Sequence, residues 1–297
     1  MPRRGRLEHL PVTAVRPRRA PGPVRAACSL AALLALSLSQ SSCCAPAGTR
    51  GWARDVTLAP GWSRVRESAR DAALDPATWM PAAAALALQI GDADGELSEW
   101  AVERAPLFGD TDSARRASDW LYASTAAACV TTALLAPSRC DEGAWFPDKV
   151  LGLTVAGAAA GATSGLTEIA KNAAQRMRPD GSNRGSFPSA HASGSAVLAT
   201  LASRNLDSMH ASRGWRSLAS AAFGCLAAGT AWARVEGGRH YPSDALAGLA
   251  LGHFVGAFMH DAFLGGGPVE ARALLGRGEA GLAVSWRFPV PPPPHAP

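Results

Sequence analysis

Six uncharged runs of mostly small or apolar residues recur along the chain: Pro76–Gly91, Trp120–Ser138, Val150–Thr167, Ala192–Ser203, Ser217–Ala233 and Ala245–His260. Charged or Pro/Gly-rich segments such as Asp92–Asp119, Arg139–Lys149 and Pro179–Pro188 separate them. This pattern reads as an all-α protein, a single helical bundle of about six core helices over residues 76–264, with no internal repeat. Abundant alanine and glycine suit closely packed helices, either in water or in a bilayer. Only Trp120–Ser138 and Val150–Thr167 approach the ~20 residues that a span requires, and both are rich in Ala, Gly, Ser and Thr. Length and composition therefore favour a soluble or membrane-tethered bundle over an integral one.

The formal charge of +5 is concentrated at one end. Residues 1–25 hold seven arginines against Glu8, a net of +6, and residues 26–42 carry no charge, which leaves −1 for 43–297. A nucleic-acid partner, which needs a basic face on the folded domain, is not expected. The basic stretch ending at Arg25, the apolar run Ala26–Leu38 and the small residues before Cys43-Cys44 have the form of an export signal over residues 1–43. Thirteen apolar residues rise only about 20 Å as a helix, short of a bilayer core. The cysteine pair also permits lipid attachment. Residues 44–75 read as a linker, with a short helix from Trp62 to Asp71. Residues 265–297 read as a tail with a short strand at Gly281–Phe288 and a disordered proline-rich end. Cys129 and Cys225 sit in apolar stretches and read as core residues. No CxxC spacing points to a metal, and no cofactor is expected. Asp92–Glu96 lacks the ligand pattern of a calcium loop and reads as a turn between helices.

Three short patterns carry the chemistry. Lys171 and Arg178 are seven apart and followed by Pro179, so a helix would place two cations on one face. Ser189, before Ala190-His191 and an apolar run, is a natural N-cap, and the free amides behind it form an anion site beside His191. Arg234, His240 and Asp244 follow. With Pro242 opening a new helix, Asp244 would reach back to the His240 ring, fixing its tautomer and leaving the other nitrogen to attack. Taken singly, each pattern also fits an ordinary helix face, cap or capping bond. Taken in order, coincidence is on the order of one in 10⁵.

At these residues the sequence resembles the type 2 phosphatidic acid phosphatase and vanadium haloperoxidase superfamily, whose signature is Lys-x6-Arg-Pro, Pro-Ser-Gly-His and Ser-Arg-x5-His-x3-Asp. The resemblance implies that Lys171, Arg178 and Arg234 bind phosphoryl oxygens with Ser189 and the Ala190 backbone. His240 would be the nucleophile, Asp244 its orienter and His191 the general acid, with no metal. Ala190 and Ala233 stand where the signature has glycine and serine, and neither change removes a group the chemistry needs. The implied activity is hydrolysis of phosphomonoesters or pyrophosphates through a phosphohistidine. The substrate would be a phosphorylated lipid or a small phosphate ester at the periplasmic face of the cell envelope, on a membrane-tethered or integral protein. A vanadium-dependent haloperoxidase and a non-catalytic envelope protein that binds phosphate ligands are the alternatives.

Overall fold

A computed structural model describes residues 52–53, 56–138, 145–264, 269–276 and 279–286. The export-signal pattern, Cys140 and the proline-rich end lie outside these residues. The helices are α1 (Trp62–Leu74), α2 (Pro76–Ala87), α3 (Ala93–Arg104), α4 (Thr111–Leu135), α5 (Trp145–Ala174), α6 (Ala190–Asn205), α7 (Arg213–Glu236) and α8 (Pro242–Met259). The last continues into a π-turn, His260–Leu264. The helical body is all-α, and each of the six uncharged runs falls on a helix. The two further helices, α1 and α3, are built from mixed charged and apolar sequence and so leave no uncharged run to mark them. Residues Asp92–Glu96 are therefore not merely a connecting turn: they open α3, with Asp94 buried.

Local sequence explains where the helices begin. Asp75 accepts from the Ala77 amide at 2.9 Å ahead of Pro76. Asp110 accepts from Ser113 at 2.7 Å, and Ser212 from Trp215 at 3.3 Å. These side chains satisfy amides that have no intrahelical partner.

The bundle is tightest where α6 crosses α8. Gly248, Gly252 and Gly256, spaced four apart, form a stripe on α8, and a Cβ at Gly252 would lie 2.1 Å from the Ser193 carbonyl oxygen. At Gly248 it would lie 2.7 Å from the Ser189 carbonyl oxygen. Only hydrogen in place of a side chain lets the two backbones approach this closely, and that approach sets Ser189 and His191 beside the start of α8. Below this contact, Val197, Leu201, Leu206, Phe223 and Val155 form the main core. A smaller cluster of Ala101, Ala192, Ala231, Val235 and Ala245 lies at the end carrying the motifs. Cys129 is buried as expected, but Cys225 is exposed, because it faces outward on α7.

Among the described residues, three helices are long and apolar enough to cross a membrane: α5, α7 and the continuous segment Pro242–Leu264. This corrects the sequence expectation, which admits the runs in α4 and α5 alone. Helices α7 and α8 extend past their uncharged centres into flanks with few charges, and the run in α4 falls short. At the C-terminus, β1 (Val269–Gly276) pairs antiparallel with β2 (Glu279–Trp286), so the expected single strand is the second half of a hairpin.

Candidate active site

The motif residues gather at one end of the bundle, where α5 and α7 finish and α6 and α8 begin. Lys171 lies in the last turn of α5 and Arg234 in the last turn of α7. Ser189 caps α6, its hydroxyl accepting from Ala192 at 3.4 Å, and its own amide donates to the Asp244 carbonyl at 3.0 Å. The first amides of α6, on Ala190 and His191, have no carbonyl within the helix to meet, and two helix N-termini here favour an anion.

Arg178 reaches the same place by another route than the sequence implies. Helix α5 ends at Ala174, and Gln175 takes a left-handed conformation with φ 47° while its amide donates to Lys171 O. Lys171 and Arg178 therefore do not share a helix face, and a turn delivers the arginine.

His240 is 2% exposed in the turn between α7 and α8, where Gly238 supplies a positive φ of 65°. Burial first, then Arg234, with further contributions from Arg178 and Lys171, push its pKa down to about 3. The three predicted phosphate-binding cations thus converge on the predicted nucleophile. Two of them keep unmet donors: the Nε–H groups of Arg178 and Arg234 are buried without a partner among the described residues. Arg234 otherwise donates to Ser118 Oγ at 3.2 Å. A buried donor left unpaired costs about 1–3 kcal/mol, so two such donors flanking one histidine suit an oxyanion. Lys171 holds Glu168 at 2.7 Å on the outer side.

The expected contact from Asp244 to the His240 ring is not the one the ring makes. Nδ1 meets the Ser186 carbonyl at 2.7 Å, and a carbonyl only accepts, so Nδ1 carries the proton and Nε2 the lone pair. Asp244 instead accepts from the Tyr241 amide at 2.9 Å, from Ser186 Oγ at 2.5 Å and from Arg176 Nη1 at 2.8 Å. Three residues earlier, the Tyr241 amide is the nearer donor, as at any capped helix start.

His191 Nε2 lies 3.1 Å from Asp119 Oδ1, and its ring packs against Tyr122. Burial, then Arg234, lower its pKa below the usual histidine value, while Asp119 works in the opposite direction. In a protonated ring Asp119 would accept one N–H, and the other would remain able to donate, as the predicted general acid requires.

Residues 149–265 match the family model of the PAP2 superfamily. The chain carries a PAP2 superfamily domain. Its fold is accordingly the PAP2/haloperoxidase-like helical fold, and the superfamily implies phosphatase-type activity on phosphate esters. The match takes in all three motifs and leaves α1–α4 outside. Comparison with curated proteins gave no match, and comparison with solved structures gave none either.

Several residues at the PAP2 site escape motif reading. Arg176 lies inside the first motif, two places before Arg178, and its position there is the one signal the sequence offers. Ser186 meets the His240 ring through its backbone carbonyl, which no side-chain pattern reveals. Ser118 and Asp119 come from the charged first third of α4, and Asp94 from α3, far from the motifs in sequence.

Proposed function

We propose that this chain is an exported, metal-independent phosphatase that hydrolyses phosphomonoesters or pyrophosphates through a phosphohistidine on His240, acting at the cell envelope. The observation that supports it best is the convergence of Lys171, Arg178 and Arg234 on a buried neutral imidazole, two of those cations holding unmet buried donors. In the first step Nε2 attacks phosphorus, the P–O bond to the leaving group breaks, and His191 protonates the departing oxygen. In the second, His191 takes a proton from water, whose oxygen displaces His240 and releases phosphate. The cations and the Ala190 and His191 amides hold the charge that builds on the phosphoryl oxygens. Three helices of spanning length support a phosphorylated lipid beside small esters as a substrate.

The test is phosphate release by the purified full-length chain, with chelator present, from phosphatidic acid, an isoprenyl diphosphate and a soluble phosphomonoester. Release that survives chelator and is lost in His240→Ala supports the proposal. Wild-type turnover in that variant refutes it, and hydrolysis confined to the soluble ester removes the lipid substrate.

A further inference from the structure

We infer that Asp94 of α3 and Arg176 are positioning residues for the nucleophile, acting through Asp244 and Ser186; the inference rests on the phosphatase reading of His240. Ser186, fully buried, is tied at three points. Its amide donates to the Arg176 carbonyl at 3.1 Å, its hydroxyl donates to Asp244, and its carbonyl receives the His240 Nδ1 proton. Asp244 is in turn held by Arg176 Nη1 at 2.8 Å. The other arm of the same guanidinium, Nη2, donates to Asp94 Oδ2 at 2.7 Å, and the guanidinium carbon sits 4.1 Å from the centre of the Tyr241 ring. Asp94 also accepts from the Ser243 amide at 2.8 Å and from the Ser243 hydroxyl at 2.5 Å. One arginine thus lies between two buried carboxylates, one from the PAP2 domain and one from a helix outside the matched residues.

Charge balance makes this arrangement specific. With Arg176 removed, Asp94 and Asp244 would face the Ser243 region as buried carboxylates without their shared cation, and one must protonate or move. Either response loosens the Oγ tie of Ser186, and with it the carbonyl that fixes the His240 tautomer and ring direction. Misplacing a reacting atom by about 1 Å can cost about 10²-fold in rate. Among the described residues no hydrogen bond or ion pair joins the side chains of Lys171, Arg178 or Arg234, which would grip phosphate, to Asp94 or Asp244. Asp244 acts on Arg178 through its charge alone, which stays when Arg176 is changed and Asp244 remains ionised. The loss should therefore fall on kcat rather than on KM. Helix α3 becomes part of the working phosphatase although the family match begins at residue 149.

The experiment uses the full-length chain with p-nitrophenyl phosphate, and ¹⁵N NMR of the histidine rings. Arg176→Ala should lower kcat about 10²-fold with KM held within about threefold, and Asp94→Ala should lower it about tenfold. Arg176→Lys should recover part of the loss. Asp94→Asn keeps an acceptor for Ser243 but not the charge, and should cost a few-fold. The wild-type His240 ring should be protonated at Nδ1 alone, and Arg176→Ala should show both tautomers. Folded variants with wild-type kcat, or an unchanged tautomer in Arg176→Ala, overturn the inference. If Arg176→Ala does not fold, wild-type kcat and tautomer in Asp94→Asn overturn it equally. A wild-type chain that releases no phosphate from any ester defeats the phosphatase reading instead, while the tautomer measurement still decides the positioning.

Discussion

The two histidines of the site are the same side chain in opposite settings. His240 is enclosed, tied through Nδ1 to a backbone carbonyl and surrounded by cations that disfavour its protonation. His191 stands at the mouth of α6 with its side chain 37% exposed, and meets an aspartate that favours protonation. A nucleophile must be neutral, and an acid must carry a proton to give. In the proposed phosphatase, surroundings would divide these duties between identical imidazoles, as environment does wherever paired titratable groups are pushed apart. In both rings burial lowers the pKa, but only His191 has a carboxylate partner that resists it.

The sharpest way to break this contrast is to remove the enclosed member. His240→Ala should lower kcat by at least about 10³-fold on every substrate, because the proposed covalent intermediate forms on its Nε2. Rapid-quench capture of phosphoenzyme should find it in the wild type and not in the variant. An acid-labile, base-stable phosphoryl group on the wild-type chain is the expected signature, and its persistence in the variant would transfer the nucleophile elsewhere.

The exposed member should matter in proportion to the leaving group. His191→Ala should cost about 10²-fold or more on an alkyl phosphate, whose departing alkoxide needs a proton. On p-nitrophenyl phosphate, whose leaving group departs without one, the loss in the first step should be far smaller. Equal losses on both substrates would assign His191 to binding rather than to proton transfer.

Close packing keeps the two settings at their working separation. Gly252→Ala would drive a Cβ against the Ser193 carbonyl, and relief requires α6 to move away from α8. Such overpacking costs about 1–3 kcal/mol, and activity should fall about tenfold in the folded fraction. By contrast, a Cβ added at Gly161 on α5 would meet nothing within 4 Å, so Gly161→Ala should leave activity unchanged and raise the melting temperature slightly. Parallel melting and turnover curves distinguish the two.

Sequence exposes some of this and hides the rest for physical reasons. Periodic uncharged runs mark α2 and α4–α8, since burial on the core side and short side chains leave a visible trace. Helix α1 has no such run, yet the short helix expected from Trp62 to Asp71 falls on it. Helix α3 is the one that goes unmarked, because its charged residues interrupt any apolar run and one of them, Asp94, is buried. Motif spacing brings out Lys171, Arg178, Ser189, His191, Arg234, His240 and Asp244 in order. It misassigns how two of them act. Arg178 enters from a left-handed turn at Gln175, a backbone choice that glutamine does not advertise. Asp244 serves Ser186, Tyr241 and Arg176 rather than the His240 ring, because a helix start offers it closer donors. Asp94 and Asp119 are legible only in three dimensions, since each reaches the site from a helix outside the motif segment.

The smallest effect tests the contrast most directly. His240 must be neutral, so kcat/KM should rise as pH rises through about 3. His191 must be protonated, so kcat/KM should fall as pH rises through its pKa, which lies below the usual histidine value of about 6.5. The free enzyme should therefore work best in acid. Asp119→Asn preserves an oxygen acceptor at the same place and removes the charge that favours protonation. The basic limb should then move to lower pH, with a loss of about twofold to fivefold on that limb and the acid limb unchanged, as suits an exposed pair. A shift of the acid limb instead would mean that the aspartate acts on His240 as well. An unmoved profile would leave Asp119 as a steric neighbour of His191, and the division between the two histidines would then rest on burial and the cations alone.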